Sequence, residues 1–344
     1  MATVQLGAII HMSPLRLVIA AACAAACAFG LAAGAYAEPA VGYQHLLIPD
    51  PQGAPVEIGV WYPADAAPRP EAVGLFTETV AVDALTARGR RPLIVISHGN
   101  GGNYLSHVDT AMALARAGYV AAALTHTGDN NRDQSRATDV ANRPRQLKLL
   151  ADYMLSDWPG RAAIDPDRVG AFGFSSGGFT VLADAGGEPD LIRVGPHCNA
   201  HPGYYDCLLV GRAPGVIARL ASARPTWSHD PRLKAVVVAA PALGFTFGKE
   251  GLKSVTLPMQ LWRAEFDHIL PQPDYAEAVD HDLPIPPDYR LAANADHFDF
   301  LAPCSDSLRK VAPEICISRP GFDREAFHTD FNRAVVAFFD AHLK

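Results

Sequence analysis

The chain has 344 residues, 49% of them hydrophobic and 19% charged, with 29 basic and 36 acidic side chains and a formal charge of −7. That composition supplies a large buried core and excludes a disordered or collagen-like chain. No Lys/Arg-rich block stands out, which argues against a nucleic-acid partner, and no heptad or short-period repeat marks a coiled coil or a solenoid.

Arg16 precedes Leu17-Val18-Ile19 and a long Ala-rich run that ends in Ala35-Tyr36-Ala37, before Glu38-Pro39. A basic start, an apolar middle and a small-residue cleavage site predict a secretory signal peptide over residues 1–37, with Met12 as an alternative start to Met1. A membrane anchor is the competing reading, since the run approaches spanning length. Its Ala-rich composition, without a strong Leu/Ile block, favours export and cleavage. The expected product is periplasmic or secreted, residues 38–344, with no stable membrane span and a formal charge of −8. Cys198, Cys207, Cys304 and Cys316 then remain. An even number in an exported chain predicts two disulfides, and of the three pairings the short closures 198–207 and 304–316 are favoured.

Residues 42–48 and 56–62 read as short strands with Pro/Gly turns between them. Residues 63–90 read as a connection with a weak helical patch over 71–87. Leu93-Ile94-Val95-Ile96 is a continuous apolar run, as expected of a strand buried on both faces, and it leads into Ser97-His98-Gly99-Asn100-Gly101-Gly102. Helices over 107–117, 144–158, 177–185 and 274–279 then alternate with strands over 119–124, 169–174, 235–240, 257–262 and 289–293, and helices close the chain. This alternation predicts an α/β fold with a mostly parallel central sheet. Residues 186–232, rich in Gly and Pro, break the rhythm and read as a small lid-like insertion rather than a domain of their own.

Gly173-Phe174-Ser175-Ser176-Gly177 lies between a predicted strand and a predicted helix. In that setting the glycines permit a sharp turn that holds a serine hydroxyl clear of the sheet, so Ser175 is the candidate nucleophile. The N–H of Ser176, at a helix start, is the first candidate oxyanion donor. The N–H of Asn100, after the buried strand, is the second, with Gly101 next. A serine needs a base, and the base needs an orienting carboxylate. Asp267, closing Leu261-Trp262-Arg263-Ala264-Glu265-Phe266-Asp267, is the candidate acid, and His297, in Asp296-His297-Phe298-Asp299-Phe300, is the candidate base. Asp206 is the alternative acid, one strand earlier. His98, Phe174, Tyr204, Tyr205, Trp227 and Phe298 are candidate pocket-lining residues. His126 with Asp129 is a further candidate pair at the pocket mouth.

His197, Cys198, His201, Asp206 and Cys207 have metal-ligand chemistry, but their spacing fits no closed zinc site. There is no G-x-G-x-x-G after the first strand and no P-loop. The expectation is therefore an enzyme with no cofactor and no metal.

Taken together, Ile96-Ser97-His98-Gly99-Asn100-Gly101, Ile164-Asp165-Pro166-Asp167-Arg168-Val169-Gly170 leading into Gly173-Phe174-Ser175-Ser176-Gly177-Gly178, and His297-Phe298-Asp299-Phe300 resemble the α/β-hydrolase superfamily. Within it the chain looks like the predicted dienelactone hydrolases and their platelet-activating factor acetylhydrolase-like relatives, from about Gly42 to the C-terminus. The resemblance implies a serine hydrolase using Ser175, Asp267 and His297. Dienelactone hydrolases proper carry a cysteine where this chain has Ser175, so lactone cleavage does not carry over. The implied function is hydrolysis of carboxylic esters by a carboxylesterase or lipase-like enzyme, on a small-molecule, lipid-like or polymeric ester. A peptidase or amidase on the same fold is the alternative, and a non-catalytic binding protein the next.

Overall fold

Alternating apolar and polar residues set the first hairpin. Strands β1 (Ala40–Ile48) and β2 (Val56–Ala64) pair antiparallel from Ala40 opposite Ala64 to Ile48 opposite Val56. The structure is a computed structural model that describes Met1 and residues 40–213, 215–222 and 225–344. The predicted signal peptide otherwise lies outside the described residues.

The predicted helical patch over 71–87 is instead a hairpin of β3 (Arg69–Val73) and β4 (Phe76–Val82). The reason is local. Phe76-Thr77-Glu78-Thr79-Val80 alternates side chains across a pleat, β-branched residues favour that geometry, and Gly74 supplies the left-handed turn at φ 59°. β4 also pairs in parallel with β1, which carries the hairpin to the end of the sheet.

From β5 (Arg91–Ser97) onward the chain alternates strand and helix: α1 (Val108–Arg116), β6 (Val120–Thr125), α2 (Asn142–Ser156), β7 (Ile164–Phe174) and α3 (Ser176–Asp184). After an insertion come β8 (Leu233–Ala239), β9 (Met259–Ala264) and β10 (Asp288–Ala292). Among the described residues the sheet has ten strands in the order β10-β9-β8-β7-β5-β6-β2-β1-β4-β3. The six from β10 to β6 are parallel.

β5 shows why the centre is apolar on both faces. Ile94 and Ile96 enter one core with Met112 and Leu114 of α1 and with Phe331, Val335 and Phe339 of the C-terminal helix. Leu93 and Val95 enter the other with Leu147, Leu150 and Met154 of α2 and with Phe179 and Leu182 of α3. Each such side chain, fully buried, contributes about 1.5–3 kcal/mol over an exposed one.

The insertion folds into short helices α4 (Val194–Ala200), α5 (Tyr205–Gly211) and α6 (Val216–Ser222). They share a small core of Val194, Val210 and Val216 around the Cys198–Cys207 disulfide, whose Cα atoms are 5.1 Å apart. The second favoured closure also forms, Cys304–Cys316, with Cα atoms 5.8 Å apart. It brackets α9 (Asp306–Val311); before it lie α7 (Gly248–Leu252) and α8 (Ala276–Asp282), and the chain ends in α10 (Arg324–Leu343).

Candidate active site

Neighbouring parallel strands all end on the same edge of the sheet, so the loops that leave their carboxyl ends gather there. In this sheet the loops after β5, β7, β9 and β10 meet at that edge. Ser175 comes directly after β7 and occupies φ 56°, ψ −120°, a backbone state that costs a non-glycine residue about 1–3 kcal/mol. Its neighbours hold it there. Ser175 N–H donates to Ala239 O at 2.9 Å, and its carbonyl accepts Phe179 N–H at 3.1 Å and Ala242 N–H at 3.0 Å. The flanking glycines are required by space. A Cβ on Gly173 would stand 2.1 Å from Gly177 O, and a Cβ on Gly177 would stand 2.0 Å from Ser97 O. Both obstacles are backbone atoms that have nowhere to move.

His297 lies on a short turn after β10 (His297–Phe300), entered through a capping box between Asp296 and Asp299. Its ring is buried, with Nε2 3.0 Å from Ser175 Oγ and Nδ1 2.8 Å from Asp267 Oδ2. An ionised carboxylate only accepts, so His297 donates Nδ1–H to Asp267 and keeps Nε2 free to accept the serine O–H. Asp267 is fixed in turn, because its Oδ1 accepts the N–H groups of Ile269 at 3.1 Å and Leu270 at 2.7 Å. The row Ser175–His297–Asp267 can move a proton off the serine and hold the imidazolium that results.

The loop after β5 is braced from below. Asn100 Nδ2 donates to Asp129 Oδ1 at 2.6 Å, and Gly101 N–H donates to the same oxygen at 3.2 Å. Buried Arg143 pairs with Asp129 Oδ2 and donates to His98 O and Thr180 Oγ1. From above, Tyr205 O–H donates to Asn100 Oδ1 at 2.6 Å. The Gly101 N–H is thus engaged, whereas the N–H groups of Asn100 and Ser176 make no such bond among the described residues. Arg143 escapes sequence reading because an arginine on an amphipathic helix ordinarily faces water. Its partner Asp129 reads in the sequence only as a residue of the pocket mouth.

A narrow cleft of about 600 Å³, its open mouth included, runs from Ser175 and Asn100 beneath the insertion. Leu191, Val194, Leu209, Val210 and Leu270 make its apolar wall, with Tyr205 and Asp206 as polar points. Of the six predicted lining residues, Tyr205 stands on this wall. Phe174 is buried beneath His297, with ring centroids 4.8 Å apart. His98 is buried in the β5 loop, where burial holds its imidazole well below the usual value and therefore neutral. It donates Nδ1–H to Gly99 O and accepts His126 N–H at Nε2, 3.0 Å away. His126 is likewise buried rather than at the mouth, between Ser97 Oγ and Gln146 Oε1. Tyr204 stacks on His201, Trp227 packs edge-on to Phe179 of α3, and Phe298 flanks His297 at 5.5 Å. These aromatic side chains have neighbours of their own, so aromatic character alone does not mark the wall.

The alternative acid, Asp206, does not reach His297. It sits on α5, where Oδ1 accepts Tyr275 O–H at 3.0 Å and Oδ2 lies 3.9 Å from His197 Nε2. His268 pairs with Asp296 at 2.5 Å, and Glu265 accepts Asn294 N–H at 2.7 Å.

No family model matches the chain. NocK of Nocardia uniformis subsp. tsuyamanensis, named as an esterase, is 32% identical over 103 residues, which are 29% of this chain and 30% of that protein. The match therefore spans less than a third of that relative's length. The solved structure of a ferulic acid esterase from Streptomyces cinnamoneus shares the fold with a TM-score of 0.60, over 91% of this chain and 92% of that one, at 20% identity. At that identity the likeness is one of architecture. The chain has an α/β-hydrolase-type fold, a large central sheet flanked by helices.

Proposed function

We propose that this protein is an exported serine hydrolase that cleaves carboxylic esters through an acyl-enzyme, with Ser175 as nucleophile, His297 as base and Asp267 as its orienting acid. The observation that carries this is a strained serine at the floor of an apolar cleft, 3.0 Å from a histidine whose other nitrogen is held by a buried carboxylate. His297 takes the Ser175 proton as Oγ attacks the ester carbonyl. The N–H groups of Ser176 and Asn100 receive the oxyanion. His297 then protonates the departing alcohol, and water activated by the same imidazole releases the acid.

The apolar wall of Leu191, Val194, Leu209 and Val210 suits a hydrophobic acyl or alcohol group, as in a carboxylesterase or lipase-like enzyme. The esterase names of NocK and of the Streptomyces enzyme point the same way. The finer kinship, to dienelactone hydrolase-like and platelet-activating factor acetylhydrolase-like enzymes, rests on the β5 loop and on the residues around Ser175 and His297. Export rests on the N-terminal sequence and is consistent with two disulfides. Among the described residues no helix is long and apolar enough to cross a membrane.

The test is hydrolysis of p-nitrophenyl esters from acetate to long acyl chains by the purified protein, beside Ser175→Ala. Turnover by the wild type and a loss of about 10⁴-fold or more in the variant are expected. Equal turnover by both would reject Ser175 as the nucleophile. An inert wild type that cleaves p-nitroanilides would transfer the chemistry to amides.

A further inference from the structure

Beside the cleft, on the far side of Asp206, the fold gathers side chains that ester hydrolysis does not use. His197 stands on α4 and His201 just past its end, with their ring centroids 5.0 Å apart. Asp274 arrives from the segment after β9, and one ligand atom from each of the three lies within 4.8 Å of the others. Spacing along the chain could not reveal this set, because its third member is 73 positions from the second. The two cysteines that share this stretch of sequence, Cys198 and Cys207, are joined to each other and drop out as ligands.

We propose that His197, His201 and Asp274 bind a divalent transition-metal ion of the zinc class, with the Asp206 carboxylate adjoining the site beside His197. Ligand atoms on one tetrahedral zinc, with bonds of about 2.0–2.1 Å, stand about 3.3–3.4 Å apart. His201 Nε2 and Asp274 Oδ2 are 3.6 Å apart, and His197 Nε2 and Asp206 Oδ2 are 3.9 Å apart. Both gaps are too long for hydrogen bonds and close to the spacing across an ion. The rings are already held in place: His197 stacks on Phe245 at 3.7 Å and 14°, and His201 stacks on Tyr204 at 4.5 Å and 19°.

Asp206 supplies the independent observation. The residue is 8% exposed, and its Oδ2 is buried without a hydrogen-bond partner, while Oδ1 takes Tyr275 O–H. A buried carboxylate oxygen left unpartnered is costly, and a cation removes that cost. Two imidazoles and a carboxylate give mixed N and O donors, which suit zinc, cobalt or nickel better than calcium. His201 and Asp274 have 36% and 28% of their side chains exposed, which leaves an entry path. An ion here ties α4 to the segment that also carries Asp267 and Leu270, and so fixes one wall of the cleft.

The test reads binding, not turnover, and so stands apart from the proposed ester hydrolysis. Purified protein stripped with EDTA is titrated with Zn²⁺ by calorimetry, and its Tm is followed with and without the ion. One Zn²⁺ per chain and a rise in Tm of several degrees are expected. His201→Gln and Asp274→Asn, both at partly exposed positions, should each weaken binding by at least about tenfold. His281→Gln, at an exposed histidine elsewhere, should bind as the wild type does. Hydrogen exchange on the wild type alone gives a second readout, with slowing expected in residues 194–206 and 270–276. Absence of one-site binding, binding unchanged in both ligand variants, or no slowing in those segments would overturn the site.

Discussion

At Gly177, a single hydrogen separates a working turn from a clash. A Cβ there meets the Ser97 carbonyl oxygen at 2.0 Å, so Gly177→Ala is expected to lower the Tm sharply or prevent folding, read by thermal unfolding. Gly211, where a Cβ would meet nothing within 4 Å, provides a tolerant control in Gly211→Ala. The buried Asp129–Arg143 pair makes a second prediction. Asp129→Ala leaves a buried guanidinium without its partner and releases both Asn100 and Gly101, so a loss of roughly 3–5 kcal/mol of stability and a fall in kcat are expected together. Tyr205→Phe removes the other hold on Asn100 and should cost only about 1 kcal/mol, with kcat again the readout. Equal effects of the two variants would deny Asp129 its place beneath the loop. Ser175, Asp267 and His297 were legible in the sequence because each comes after a strand and their order along the chain fits the fold. The braces were not, since Arg143 reaches Asp129 and His98 only through packing of α2 against the β5 loop.

Among the elements, α10 and α1 are clamped by polar contacts as well as by their shared core. His328 of α10 has Nδ1 2.6 Å from Asp109 Oδ2 of α1 and Nε2 2.9 Å from Asp299 O. Burial alone would depress this imidazole, but Asp109 and the two hydrogen bonds overcome it and raise its pKa. A histidine with a raised folded-state pKa stabilises fully below its unfolded value of about 6.5 and loses that contribution as pH rises through the folded value. The Tm difference between wild type and His328→Gln should therefore narrow from pH 6 to pH 9, and a constant difference would contradict the ion pair. The α4–α5 disulfide closes a separation of nine residues. Replacing Cys198 and Cys207 with Ala should cost about 2–3 kcal/mol, measured by denaturant unfolding. Most strands and helices were legible from their periods. The β3–β4 hairpin was not, because the prolines and short runs of 63–90 hid an alternation that pairing with β1 makes stable.

For the molecule as a whole, the parallel sheet gathers four loops at one edge beneath the helical insertion, so the proposed hydrolysis assigns chemistry to the sheet and substrate choice to the insertion. Leu209 stands half-buried on the cleft wall. Leu209→Trp should lower kcat/KM for long acyl esters by about 10-fold or more while leaving acetate within a few-fold, because added bulk excludes long chains first. The fold class was readable from alternating strands and helices; the identity of the wall was not, since short helices packed around the disulfide and residues from separate loops come together to make it. The central claim, that Ser175 is an activated nucleophile, is tested most directly by reacting the purified protein with a fluorophosphonate and mapping the adduct by peptide mass spectrometry. The expected result is one adduct per chain on Ser175, absent from Ser175→Ala and much slowed in His297→Ala. Labelling of Ser176 or another residue, or ester hydrolysis that persists with Ser175 unlabelled, would contradict it.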